Sequence, residues 1–155
     1  MEKKYKLTNE TIGFNGITLY RIEALKDFSD VKKGDKGGLV QSENNLSHDG
    51  NCWVYDDAIV YDHAQAYDNA KIYDNSTVFC NAQVHGNAEV FDNAEIFDDA
   101  QVYGDAIVCG NAEICGDARV YEFATVRNKA RIYGKAEICR DTIVYGNMRI
   151  SGSKQ

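Results

Sequence analysis

From Val54 to Ile150 an aliphatic residue stands at every sixth position, and only Ala66 among these positions is neither Val nor Ile. Four residues after each one a small side chain recurs, Ala throughout except at Ser76, Thr142 and Met148. Gly, Asp or Asn fills the space between, as in VYGDAI and VHGNAE. The small and aliphatic residues lie two apart, so in an extended segment they share one face, which must be the buried one. The positions on either side of the aliphatic residue then point outward. A helix needs apolar spacings of three and four, which a period of six does not supply, and the Val/Ile content suits strand. Each unit therefore reads as a short strand followed by a corner, because Gly, Asp and Asn tolerate positive φ and bond their own backbone.

The array, V-[YF]-[GD]-[ND]-A-x, resembles the hexapeptide repeat of left-handed β-helices, in which three units form one triangular coil. Its aliphatic position runs without a gap over more than 60% of the chain. The resemblance implies an all-β, left-handed parallel β-helix of a little over five coils, about 25 Å long at ~4.8 Å per coil. One departure is the outward Tyr or Phe after most aliphatic residues, where the family carries a small or acidic side chain. Each repeat buries its apolar edge only against its neighbours, so the ends need caps.

Residues 1–45 supply one cap in this reading, and residues 46–155 the β-helix. Within GFNGITLYRI, Asn15-Gly16 between partly alternating apolar segments predicts a β-hairpin with a type I′ turn. The stretch VKKGDKGGLVQSENN, with Gly34, Gly37 and Gly38, reads as a loop leading into the first coil. It is not a phosphate loop, for no GxxxxGK[ST] is present and no helical pattern follows. The run LYRIEALKDFSDVKKGDKGG with ENNLSHDGNCWVYDDA also resembles a module of small bacterial and bacteriophage proteins that precedes similar V-Y-G-N-A arrays, some labelled as transferases from the fold alone. That resemblance implies a phage or prophage setting and the cytoplasm of a bacterial host.

Composition narrows the classes further. A chain of 155 residues with 44% apolar content is one domain's worth of sequence. There is no 18-residue apolar run, and MEKKYKLT leads into no hydrophobic segment, so a soluble, intracellular protein without membrane contact is expected. Cys52, Cys80, Cys109, Cys115 and Cys139 are scattered singly, which predicts a reducing compartment and neither a zinc site nor a redox dithiol. The net charge of −7 hides an asymmetry: residues 1–53 sum to 0, residues 54–118 to −12 and residues 119–155 to +5. This charge dipole orients partners and favours packing between copies; it is not the footprint of a general nucleic-acid binder.

Taking every third strand as one side gives three outer columns. The first is the most apolar, and Trp53, Tyr55, Tyr73, Phe91, Ile107, Ile143 and Tyr145 on it form a candidate interface of a homo-oligomer, dimer or trimer. Simple cross-strand aromatic pairing is the alternative. The basic end carries Arg119, Tyr121, Arg127, Lys129, Arg131, Tyr133, Lys135 and Arg149, a candidate surface for a nucleotide or an acidic host protein, since Arg forks grip phosphate and tyrosines stack on bases. The alternative is pairing with Glu113, Glu122 and Glu137, or with the acidic half of another copy. Asp56, Asp74 and Asp92 stack at one corner, as solvated residues, a weak hard-cation site or an imitation of a phosphate backbone.

No catalytic constellation, metal site or cofactor motif emerges. Acyltransferases built on the resembled fold use a His as general base at a cleft between subunits, with loops ejected from the coils around the substrate. Here only His48, His63 and His85 are available, and the array has no insertion. The spacings do not set three His around one point. Cys109, Cys115 and Cys139 should point outward with no His in register. The sequence thus predicts a non-catalytic, phage-type binding protein, with counter-defence against a host immune protein or nucleotide signal as its concrete form. A hexapeptide-repeat acyltransferase and a purely structural homo-oligomer are the alternatives.

Overall fold

Each hexapeptide folds as a strand of two residues, such as Glu89–Val90 or Glu95–Ile96, or of three at Arg131–Tyr133 and Arg149–Ser151, and a corner separates successive strands. In the computed structural model, which describes residues 2–152, these strands stack in parallel to form a β-solenoid. Val54 pairs with Ile72, Ile72 with Val90 and Val90 with Val108, so partners lie eighteen residues apart and three units close one coil. The coils build sheets of nine, six and five strands. Inside, Ala58, Val60, Ala64, Ile72 and their successors through Ile132 are fully buried, as the two-residue offset requires. Ser76 stands in an Ala position and is also buried, with its hydroxyl donating to the Tyr73 carbonyl at 2.8 Å.

The corners show why Asp recurs there. The residue after each outward aromatic takes a left-handed conformation, for example φ of 56° at Asp56, 58° at Asp74 and 58° at Asp92. Its carboxylate then accepts a hydrogen bond from the corner N–H one coil further on: Asp74 N donates to Asp56 at 3.1 Å, Asp92 N to Asp74 at 3.1 Å, and Gly110 N to Asp92 at 2.9 Å. The same link joins Cys80 to Asp62, Gly86 to Asp68 and Gly116 to Asp98. Each stacked carboxylate therefore satisfies a backbone donor of the next coil.

The N-terminal segment forms a hairpin of β1 (Tyr5–Phe14) and β2 (Ile17–Ala24), with φ of 50° at Asn15 and 83° at Gly16, the positive pair that a type I′ turn demands. The glycine-rich stretch, expected as a loop, instead contains β3 (Lys36–Val40), antiparallel to β2 and parallel to the strand at Ile59–Val60. Its glycines permit this: a Cβ on Gly38 would lie 2.5 Å from Val54 Cγ1 and 2.6 Å from the Ala58 carbonyl. β3 and Leu46 thus stand ahead of the visible repeat and close a first coil together with Trp53–Val54, giving about six coils. Leu46 pairs with Ala66 whereas Val54 pairs with Ile72, so two extra residues between Leu46 and Val54 hide this coil from a period-six reading.

Candidate functional site

On the nine-stranded sheet the residues just before the inward aliphatics stack in register as Ile59, Thr77, Glu95, Glu113, Arg131 and Arg149. The neighbouring column begins with Tyr61, Phe79 and Phe97, whose rings stack at 5.2 and 5.0 Å. Cys115 and Tyr133 continue that column two rungs further. The Arg131 and Arg149 guanidiniums both lie over the Tyr133 ring, at 5.7 and 5.8 Å. They share an open groove of about 420 Å³ with Lys129, Asn111, Asn147 and Glu113.

Arg131 is only partly satisfied within this groove. Its Nη1 is 3.7 Å from Glu113 Oε1, too long for a strong hydrogen bond, and Nη2 donates to Cys115 Sγ at 3.8 Å. Its buried Nε–H has no acceptor. Cys115, expected to point freely outward, is 4% exposed: a small thiol in a column of rings, reached over by this guanidinium. Burial pushes its thiol pKa up, against the pull of Arg131.

The basic residues singled out in the sequence do not form one cluster. The structure gathers Lys129, Arg131, Tyr133 and Arg149 and distributes the others around the solenoid. Arg127 lies over Tyr145, 5.9 Å from the ring, on the side of the six-stranded sheet. Arg119 pairs in register with Gln101 and Glu137 on the five-stranded sheet, where Tyr121 donates to Glu137 at 3.1 Å. Lys135 is exposed at a corner after Gly134. Two of the protein's own guanidiniums thus lie against the half-buried Tyr133 ring.

The apolar side also differs from expectation. Trp53 was expected on the outer surface, but it is 2% exposed, packed edge-on against Phe28 at 5.2 Å and Tyr5 at 6.1 Å. The segment after the hairpin covers it, and Asp30 of that segment accepts from Tyr55 Oη at 2.8 Å. Tyr73 and Phe91 stack at 4.8 Å and are half-buried, as is Ile107; Ile143 and Tyr145, in contrast, are 51% and 49% exposed.

The three histidines have separate environments. His48 stacks on Tyr5 at 4.2 Å, accepts from Lys4 N at 3.1 Å and lies 2.8 Å from Glu43 Oε1, a contact that holds the Glu43 carboxyl below its ordinary pKa. His63 is exposed at a corner. His85 is sandwiched between Tyr67 at 4.5 Å and Tyr103 at 4.9 Å, and Asp68 Oδ2 is 3.7 Å from its Nδ1. Burial pushes its pKa down, against the Asp68 charge, so the imidazole is neutral at neutral pH.

Sequence reasoning missed the junction that fixes the cap. Lys4 is fully buried; its ammonium donates to the carbonyls of Cys52 at 2.7 Å and Gly50 at 3.2 Å. Asn45, also buried, accepts from the Gln41 and Ser42 amides and donates to the Asp62 and Ala64 carbonyls. Among the described residues no group of three or more His, Cys, Asp or Glu converges as a metal site would.

Two comparisons with known proteins bear on the array. The family model described as YdcK Beta solenoid repeat matches residues 100–112, inside the run of coils. A protein of Escherichia coli (strain K12) named "Uncharacterized acetyltransferase YdcK" is 37% identical over 62 residues, a match covering 35% of this chain and 19% of that protein. The chain thus spans about a fifth of that relative's length. Repeat, register and likeness agree that this is a hexapeptide-repeat β-solenoid protein.

Proposed function

We propose that the chain is a non-catalytic binding scaffold whose working surface is the groove of Lys129, Arg131 and Arg149, and that this groove receives an anionic group. The observation that carries the reading is the charge imbalance in the groove: the cations Lys129, Arg131 and Arg149 against the one carboxylate of Glu113. The +5 charge of residues 119–155 supports it by drawing anions to this end. The narrower form, a phage counter-defence protein acting on a nucleotide signal or a host protein, has the resemblance of residues 19–58 as its support. Calorimetric titration with ATP and with inorganic tripolyphosphate at low salt tests the groove. Both should bind, and Arg131→Ala with Arg149→Ala should weaken them at least about tenfold, about 1.4 kcal/mol. Absence of binding to the wild-type protein would overturn the reading.

Acyl transfer is a second reading, favoured by the acetyltransferase name of the relative and by the neutral His85 beside Asp68. A general base needs that protonation state. Acetyl transfer from acetyl-CoA to an amine or sugar, abolished in His85→Asn, would establish it; identical rates in both proteins would exclude His85 as the base.

A further inference from the structure

The charged column on the nine-stranded sheet reads, rung by rung, Glu95, Glu113, Arg131, Arg149. Two acids followed by two bases is a pattern that changes sign when reversed end for end. Within one chain it is poorly satisfied. Like charges stand on adjacent rungs at both ends, and the one opposite-charge contact, Arg131 to Glu113 at 3.7 Å, joins side chains 39% and 41% exposed. A pair so exposed contributes about 0–1 kcal/mol.

We infer that this face is an isologous interface, in which a second copy of the chain packs antiparallel on the nine-stranded sheet. The two-fold axis runs along the strands, between the rungs of Glu113 and Arg131. The inference rests on the groove being a receptor for anions, and names the anion as the second copy's own Glu95 and Glu113. In that arrangement Glu95 faces Arg149 of the second copy and Glu113 faces Arg131, and symmetry repeats both, for four opposite-charge pairs. A side-by-side pairing with the coils running the same way sets like on like. Moving the axis by one rung sets Glu95 against Glu113 at one end, or Arg131 against Arg149 at the other, so charge alone selects both direction and register. The adjacent column fits the same axis: the small Cys115 falls opposite Tyr133 of the second copy.

The patch is short. Four rungs span roughly 19 Å at ~4.8 Å each, below the ~800 Å² per partner of a standard interface, so the dimer is weak, with a Kd of about 10 μM to 1 mM. It is also strongly salt-dependent, since the screening length falls from ~30 Å at about 10 mM salt to ~3 Å at 1 M.

Sedimentation equilibrium across that concentration range tests the inference. The wild-type protein should dimerise at low salt, with an association constant at least about tenfold lower at high salt. Arg131→Glu with Arg149→Glu makes the column wholly acidic, and Glu95→Arg with Glu113→Arg makes it wholly basic. Each double variant should be monomeric alone, their equimolar mixture should form a heterodimer, and the chain carrying all four changes should dimerise again. Circular dichroism and melting temperature confirm that each variant is folded; if a double variant is not, the fourfold exchange against wild type gives the same decision. A wild-type protein that stays monomeric at low salt, forms a trimer, or dimerises regardless of the reversals would overturn the inference. Titration with tripolyphosphate separates this from the broader reading: a monomer that still binds it through Arg131 and Arg149 loses only the self-pairing.

Discussion

The two ends of the solenoid are built on opposite terms. At the first coil, polar groups drawn inside have found protein partners: Lys4 caps two carbonyls, Asn45 makes four hydrogen bonds and Tyr5 Oη donates to the Leu46 carbonyl at 2.7 Å. In the last coils apolar and charged groups are left outside: Ile143, Tyr145 and Met148 are each more than 40% exposed, and Lys129 and Arg149 are exposed as well. A repeat array can divide labour in this way because each coil is stabilised only by its neighbours. One end can be closed for stability while the other keeps surface for recognition.

The largest contrast should appear on truncating the same residue type at each end. Ile22→Ala, at a fully buried site within the cap, should cost about 2–5 kcal/mol, whereas Ile143→Ala should stay within about 0.5 kcal/mol. Denaturant unfolding measures both, and equal losses would remove the distinction. Next is Lys4→Met, which keeps most of the stem but leaves the Cys52 and Gly50 carbonyls without this donor; a loss of about 1–3 kcal/mol is expected. Between the ends, Asp92→Ala removes the acceptor for Gly110 N and places a Cβ residue without it at φ 58°. It should cost about 1–2 kcal/mol, with Asp92→Gly recovering the conformational part.

The smallest effect is a pH dependence. The folded pKa of His85 is lowered below 6.5, so as the pH falls through 6.5 the unfolded chain takes up a proton that the folded chain refuses. Stability attributable to His85 therefore declines on acidification from about pH 6.5 and levels off below its folded pKa. Replacing His85 with Phe, which preserves the stack between Tyr67 and Tyr103, should flatten this slope in melts recorded between about pH 5 and 7.

Much of this architecture is legible wherever local chemistry repeats. The period-six aliphatics locate the buried column, and Asn15-Gly16 fixes the hairpin turn. What stays hidden depends on contacts between distant segments. Gly37 and Gly38 look like loop residues until β3 is seen pressed against Val54 and Ala58. Trp53 looks like a surface aromatic because nothing in its own hexapeptide reveals that Phe28 and Tyr5 will cover it. For the basic end, the eighteen-residue coil already divides the residues among three sides, and what the structure adds is the groove that Lys129, Arg131 and Arg149 line together with Glu113. Lys4 gave no signal, because a lysine near a chain end reads as solvated until the carbonyls of Gly50 and Cys52 converge on it.

The central claim is that the distal groove, and not the capped end, is the recognition surface. Backbone amide chemical shifts followed by NMR during a tripolyphosphate titration, with dilute protein so that it is monomeric, test it most directly. The account expects saturable shifts around Lys129, Arg131 and Arg149, with residues 5–60 unmoved. Shifts confined to the first coil, or none at all, would contradict it.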